Sequence, residues 1–149
     1  MKLRAIYAQF VNEFFIMEIK IDTKEKFTVV SPLLPSFTVN IAAEIEKTCL
    51  KLLGATVKNV ILQMEDVEQI EEAAAIKLAE LQQQFYEKSA SFVICSLSES
   101  VESTFEKVEL LDFLNCTPTE SEAWDIVQME EIERELMDGD KMEFENNKG

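Results

Sequence analysis

Between residues 59 and 85 the chain changes its hydrophobic period, and the neighbouring elements arrange themselves around that change. Val60-Ile61-Leu62 is apolar without alternation, the pattern of a strand buried on both faces. An acidic turn containing Glu65, Asp66 and Glu68 follows. Ile70, Ala74, Leu78, Leu81 and Phe85 then recur at helical spacing and put one apolar stripe on a helix. Ala73, Ala74 and Ala75 near its start are good helix formers and leave little side chain in the way of an approaching group. Strand, loop and helix N-terminus in this order are where α/β domains commonly place a binding site.

The same reading extends outward. Residues 14–21 show partial alternation through Ile16, Glu18, Ile19 and Lys20, and Phe27-Thr28-Val29-Val30 is a second strand. The polar stretch 22–26 joins them as a hairpin. Pro32 and Pro35 mark a loop, after which a helix capped at Asn40 carries Ile41, Ile45, Cys49 and Leu52 inward and stops at Gly54. Beyond the central helix, residues 91–95 form another buried strand. Ser98 caps a helix with Val101, Phe105, Val108 and Leu111 on its apolar side. Asn115-Cys116-Thr117-Pro118 is a short strand or turn. Thr119-Glu120-Ser121-Glu122 is a capping box opening a last helix with Ala123, Val127 and Ile132 inside and Trp124 near its start. Strands alternating with helices predict a single α/β domain with a mixed, mostly parallel sheet and four helices. Residues 1–16 read as an N-terminal extension, 17–137 as the domain, and 138–149 as a frayed or disordered acidic tail.

Charge and composition narrow the function. The 149 residues carry 29 acids against 14 bases, a net charge of −15. Phosphate backbones need clustered Lys and Arg, so no nucleic-acid surface is expected. Histidine is absent, which removes His-based acid–base catalysis, Ser-His and Cys-His nucleophile pairs and the commonest metal ligand. With three glycines there is no Gly-rich phosphate loop. Cys49, Cys95 and Cys116 are widely spaced in apolar settings and read as buried, reduced thiols. Glu71 and Glu72 have no neighbouring nucleophile and do not make a general acid–base pair. No enzyme activity, metal or cofactor is expected. Lys2 and Arg4 before Ala5-Ile6-Tyr7 imitate a signal peptide, but Gln9, Asn12 and Glu13 break the apolar stretch and no small-residue cleavage site follows. No run is long enough to cross a bilayer, so a cytoplasmic protein without membrane insertion is expected.

These strings in this order resemble the STAS domain, the fold of bacterial anti-sigma factor antagonists such as SpoIIAA and of sulfate-transporter C-terminal domains. Val60-Ile61-Leu62, Glu65-Asp66 and Ile70-Glu71 follow the family's central pattern, an apolar strand, an acidic loop and then Ile/Met-Asp-Ser-Ser/Thr-Gly. Val101, Phe105 and Leu111, followed by Thr119-Glu120-Ser121-Glu122-Ala123, match its third helix and the opening of its fourth. In such antagonists the resemblance implies phosphorylation of the second hydroxyl residue by an anti-sigma kinase. Here that position is Ala73, its neighbour is Glu72, and the family glycine corresponds to Ala74. No Ser or Thr occurs between Thr56 and Ser89. The Gly-x-Leu-Asp string before the family's first helix reads Pro35-Ser36-Phe37-Thr38, without its acid.

The resemblance therefore implies a protein-binding regulatory module of bacterial transcription control that has lost the phosphorylatable residue. Its partner would be an anti-sigma factor or related kinase, and its contact residues would be Thr38, Glu68, Gln69, Glu71, Glu72, Ala73 and Ala74. Glu68, Glu71 and Glu72 have two readings: favourable charge at a helix N-terminus, or an acidic lip on a partner face. Trp124 with Phe10, Phe14 and Phe15 is either core or an exposed patch. The alternatives are an accessory subunit of a transporter, as in lipid-transporting ABC complexes, and a small-ligand pocket under the same loops.

Overall fold

The computed structural model describes residues 19–148, with side chains as far as Met137. The hairpin is present, as β1 (Ile19–Thr23) and β2 (Thr28–Pro32), paired antiparallel with Ile21 opposite Val30. The predicted residues 14–18 of the first strand and the extension 1–16 lie outside the described residues. β4 (Val60–Gln63) and β6 (Phe92–Cys95) join β2 in parallel, and β7 (Cys116–Thr117) closes the sheet, in the order β1-β2-β4-β6-β7. Both faces of β4 and β6 are covered, which is why their sequences are continuously apolar rather than alternating. Val60 and Leu62 point into the larger core, and Ile61 points into the smaller one on the other side.

Three helices build the larger core. These are α1 (Val39–Leu53), α2 (Glu72–Glu87) and α3 (Glu99–Lys107), with Ile45, Cys49, Leu78, Phe85, Val101 and Phe105 turned inward. α4 (Glu120–Lys148) lies on the opposite face, where Ala123 and Val127 meet Ile61, Val93 and Cys95. Half-buried Trp124 stacks on Phe27 at 4.7 Å between ring centres, so it belongs to this packing. The backbone is helical to Lys148, across the stretch read from the sequence as a tail.

Local chemistry sets the helix ends, with one shift from expectation. Thr38, extended at φ −96°, caps α1 by accepting the Ile41 N–H, so the cap lies two residues before Asn40. Ser98 accepts the Val101 N–H and Thr119 the Glu122 N–H, as the sequence predicts for both caps. In the Thr119 box the glutamate carboxylate returns to the threonine hydroxyl at 2.9 Å. α2 and α3 end alike, on six-to-one bonds from Ala90 N–H to the Phe85 carbonyl and from Leu110 N–H to the Phe105 carbonyl. The left-handed residues that make those ends possible are Ser89 (φ 57°) and Glu109 (φ 59°), where glycine is usual. Leu111 therefore sits beyond the helix, although it packs on the core. Ile132, read as an inward residue, is 55% exposed because it lies on the side of α4 away from the sheet.

Candidate functional site

The loop after β4 is anchored from below and tied at its sides. Met64 and Val67 are buried, the Met64 N–H donates to the Cys95 carbonyl, and Val67 closes a turn back onto Met64. This leaves Glu65 and Asp66 exposed. The N–H groups of Glu68 and Gln69 both donate to the Pro35 carbonyl. Two short strands then pair in parallel, β3 (Ser36–Phe37) with β5 (Gln69–Ile70), and form a second small sheet. Ile70, expected as the first residue of the helical stripe, is thus in a strand. Its side chain is buried in the same core as Leu78. The two-residue pairing is invisible to a period count, because neither member is long enough to alternate.

Three helix N-termini converge on this edge, those of α1, α2 and α3, because each helix follows a strand at its carboxyl end. The glutamates there do more specific work than general attraction to the positive end of α2. Glu71 makes no side-chain cap on α2. Its Oε1 accepts the Val39 N–H of α1 at 2.9 Å, while its own N–H donates to the Phe37 carbonyl. With Thr38 on the Ile41 N–H, two of α1's free donors are satisfied, one from its own cap and one from the neighbouring helix. Thr38 thus retains the capping chemistry at the position where the resembled pattern has an acid. Glu72 pairs with Lys107 of α3 at 2.7 Å, and both groups are well exposed. The carboxylate raises the lysine's proton affinity, but water screens the pair and its contribution to stability is small. The Ser98 hydroxyl donates to the Glu68 carbonyl and so fastens the start of α3 to the same loop.

All seven sequence-predicted residues are brought to this edge, but in different states. Glu68, Gln69, Glu71, Glu72 and Ala73 are exposed, Thr38 is half-buried, and Ala74 is buried beneath them in the core. An open groove of about 290 Å³ runs between Ser36, Phe37, Thr38, Gln69, Ile70 and Glu71. Gln69 reaches Ser36 across it, Nε2 to Oγ at 2.9 Å. The sequence reading missed Val39, whose N–H meets Glu71, and Ile76, three residues after Ala73 on α2; they are 39% and 47% exposed. A signal for Ile76 is present in hindsight: it lies three residues after Ala73, off the inward stripe of Leu78 and Phe85.

The arrangement belongs to a described family. The family model of the STAS domain matches residues 18–123. This chain is a member of the STAS domain family. Solved structures share the fold. A putative anti-sigma factor antagonist from Thermotoga maritima superposes with a TM-score of 0.66 at 18% identity, over 74% of this chain and 94% of its own. An anti-sigma factor antagonist from Mycobacterium paratuberculosis gives 0.65 at 13%, over 75% and 94%. The murine Solute Carrier 26 family member A9 anion transporter gives 0.60 at 12%, over 72% of this chain and 18% of the transporter. No curated protein matches the chain.

The cysteines of this STAS domain are not among the exposed residues of this edge. Cys49 and Cys95 are buried, whereas Cys116, expected to be buried too, is half-buried on the short edge strand β7. Burial pushes the Cys49 thiol up to about 12 and Cys95 to about 11, where Glu120 and Glu65 add to it and Ser96 opposes. Burial, with Glu102 nearby, puts Cys116 at about 12. All three should stay protonated at pH 8 and react slowly with a disulfide reagent in the native chain, then rapidly in denaturant. Rapid release of one or more equivalents from the folded chain would contradict this. Among the described residues, no helix is long and apolar enough to cross a membrane.

Proposed function

We propose that this STAS domain is a non-catalytic protein-binding module, resembling an anti-sigma factor antagonist without a phosphorylation switch, and acting in the cytoplasm. The observation that carries the reading is Ala73. It is exposed in the first turn of α2, with Ile76 exposed one turn on and exposed Val39 of α1 bonded through its N–H to Glu71, two residues before it. Small, uncharged surface with an apolar residue one turn on, accompanied by Glu68, Glu71 and Glu72, suits the centre and rim of a protein contact. Phosphate at such a position would add roughly −1.5 to −2 charges and bulk at the helix N-terminus. Alanine adds neither, so the domain stays in its binding-competent form. Its partner, an anti-sigma factor or a related kinase in this reading, meets a surface that cannot be switched off by phosphorylation at this position.

The test is calorimetric titration against the partner recovered on the immobilised domain. Ala73→Glu should weaken binding by about 1–3 kcal/mol by placing an unpaired charge in the contact. Ala73→Ser should bind like the parent, and kinase with ATP should leave the parent's affinity unchanged. Equal affinity for Ala73→Glu would remove this edge as the interface. The likeness to the anion transporter favours a second reading, a STAS subunit of a transport complex. In that case the recovered partner is a permease or its ATPase.

A further inference from the structure

We propose that a second copy of this chain pairs on the free edge of β1, antiparallel and centred on Ile21, so that the sheets of both copies run on as one. β1 ends the sheet, and among the described residues no strand lies beyond it. The hairpin bonds show which of its backbone groups are left over. The Lys24 N–H donates to the Phe27 carbonyl, whereas the N–H of Thr28, opposite Thr23, turns away to the Asn59 carbonyl. Bonding alternates along an antiparallel pair, so Lys20 and Asp22 bond to β2, and the N–H and C=O groups of Ile19, Ile21 and Thr23 point outward. Pro32 fits this phase, since it lies opposite Ile19 and has no N–H to give. Ile21 is 41% exposed although Val30, opposite it, is buried. An open strand of five residues is a template for another strand, whereas the other edge, β7, has only two.

Charge selects a second copy as the occupant. Lys20 and Asp22 flank Ile21 and share the other face of the strand, where both line one depression with Val29 and Ser31. Pairing centred on Ile21 sets Lys20 against the partner's Asp22, and Asp22 against the partner's Lys20. These are non-hydrogen-bonded positions, where facing side chains come closest. A pairing centred on Lys20 or on Asp22 puts like charges face to face instead. The strand is therefore complementary to itself in one symmetric register. Lys24 holds Asp22 Oδ2 at 3.1 Å, but among the described residues Oδ1 and the Lys20 ammonium have no partner. The net charge of −15 opposes contact between copies over most of the surface. The hairpin is the exception, with Lys20, Lys24 and Lys26 against Asp22 and Glu25. One strand pair buries less than a standard interface, so the dimer is weak and forms as concentration rises.

Sedimentation equilibrium of the full chain, from about 10 μM to about 1 mM, tests this over the dissociation constants expected of a small contact. The parent should pass from monomer towards dimer. Over the same range, hydrogen exchange at the amides of Ile19, Ile21 and Thr23 should slow while that of β4 stays constant. Ile21→Pro should be monomeric throughout, because it removes the central outward N–H and no bond to β2; β4 and β6 should keep their protection. Lys20→Asp should raise the dissociation constant about tenfold. Adding Asp22→Lys to it should restore the parent's value, since the pair is then reversed rather than lost. A parent that stays monomeric, a dimer that survives Ile21→Pro, or a charge reversal that restores nothing would overturn the proposal. So would edge amides as protected in the dilute monomer as at high concentration, which would assign the edge to another part of the same chain.

Discussion

Phe85→Ala should destabilise the domain by about 3–5 kcal/mol, the range for removing a fully buried aromatic side chain and leaving the cavity behind. Phe85 is 0% exposed, and its ring sits 5.3 Å from that of Phe92, tilted by 55°. It therefore joins α2 to the inner strand β6 near the end of the helix. Its carbonyl also receives the Lys88 and Ala90 N–H groups that end α2, but alanine preserves those bonds. The loss is thus one of packing. Urea denaturation measures it: the midpoint should fall with an unchanged slope, because the same surface is exposed on unfolding. A loss below about 1 kcal/mol would mean that neighbouring side chains collapse into the space, contrary to the tight placement of the two rings.

Gln82→Leu should cost about 2–4 kcal/mol, although leucine is of similar size and is a better core residue by composition. Gln82 is 2% exposed. Its Nε2 donates to the Phe113 carbonyl at 3.0 Å and its Oε1 accepts the Asn115 N–H at 2.9 Å. Both partners are backbone groups in the segment between α3 and β7. Leucine would leave a donor and an acceptor without partners in a water-poor place, at about 1–3 kcal/mol each. Part of that is relieved if the segment opens to water. The same urea experiment reads the loss, and hydrogen exchange at Asn115 locates it. A leucine variant as stable as the parent, with Asn115 still protected, would show that these two bonds are replaceable. Proteolysis is a third reading, since a loosened segment between α3 and β7 should be cut first.

Much of the fold was legible because its signals are local and repeated. The unbroken apolar runs at 60–62 and 92–94 follow from covering a strand on both faces, and their order with the helices implies parallel pairing. The caps at Ser98 and Thr119 were readable because one side chain and one N–H three residues on decide them. Thr38 and Asn40 are both capping residues two positions apart, so the sequence offered two starts for α1. The backbone turn from the β3–β5 pairing selects the first. Ile132 was misread for a related reason. Its helical spacing is sound, but only the position of α4 over β4, β6 and β7 decides which side of that helix is covered.

The candidate site divides along the same line. The sequence by itself determined that an exposed, hydroxyl-free, acid-flanked helix start follows the central strand, since Ala73, Glu71 and Glu72 are adjacent in the chain. Only the tertiary structure decided what each of those residues does. Glu71 serves α1 rather than its own helix, across 32 positions of chain. Glu72 answers Lys107 of α3, and Gln82 satisfies backbone more than thirty residues away. Such bonds have no period and no spacing, because their geometry arises when separate helices pack on one sheet. A pattern along the chain reports which residues share a face of one element. Which faces and ends meet is set by the packing of that element against the others.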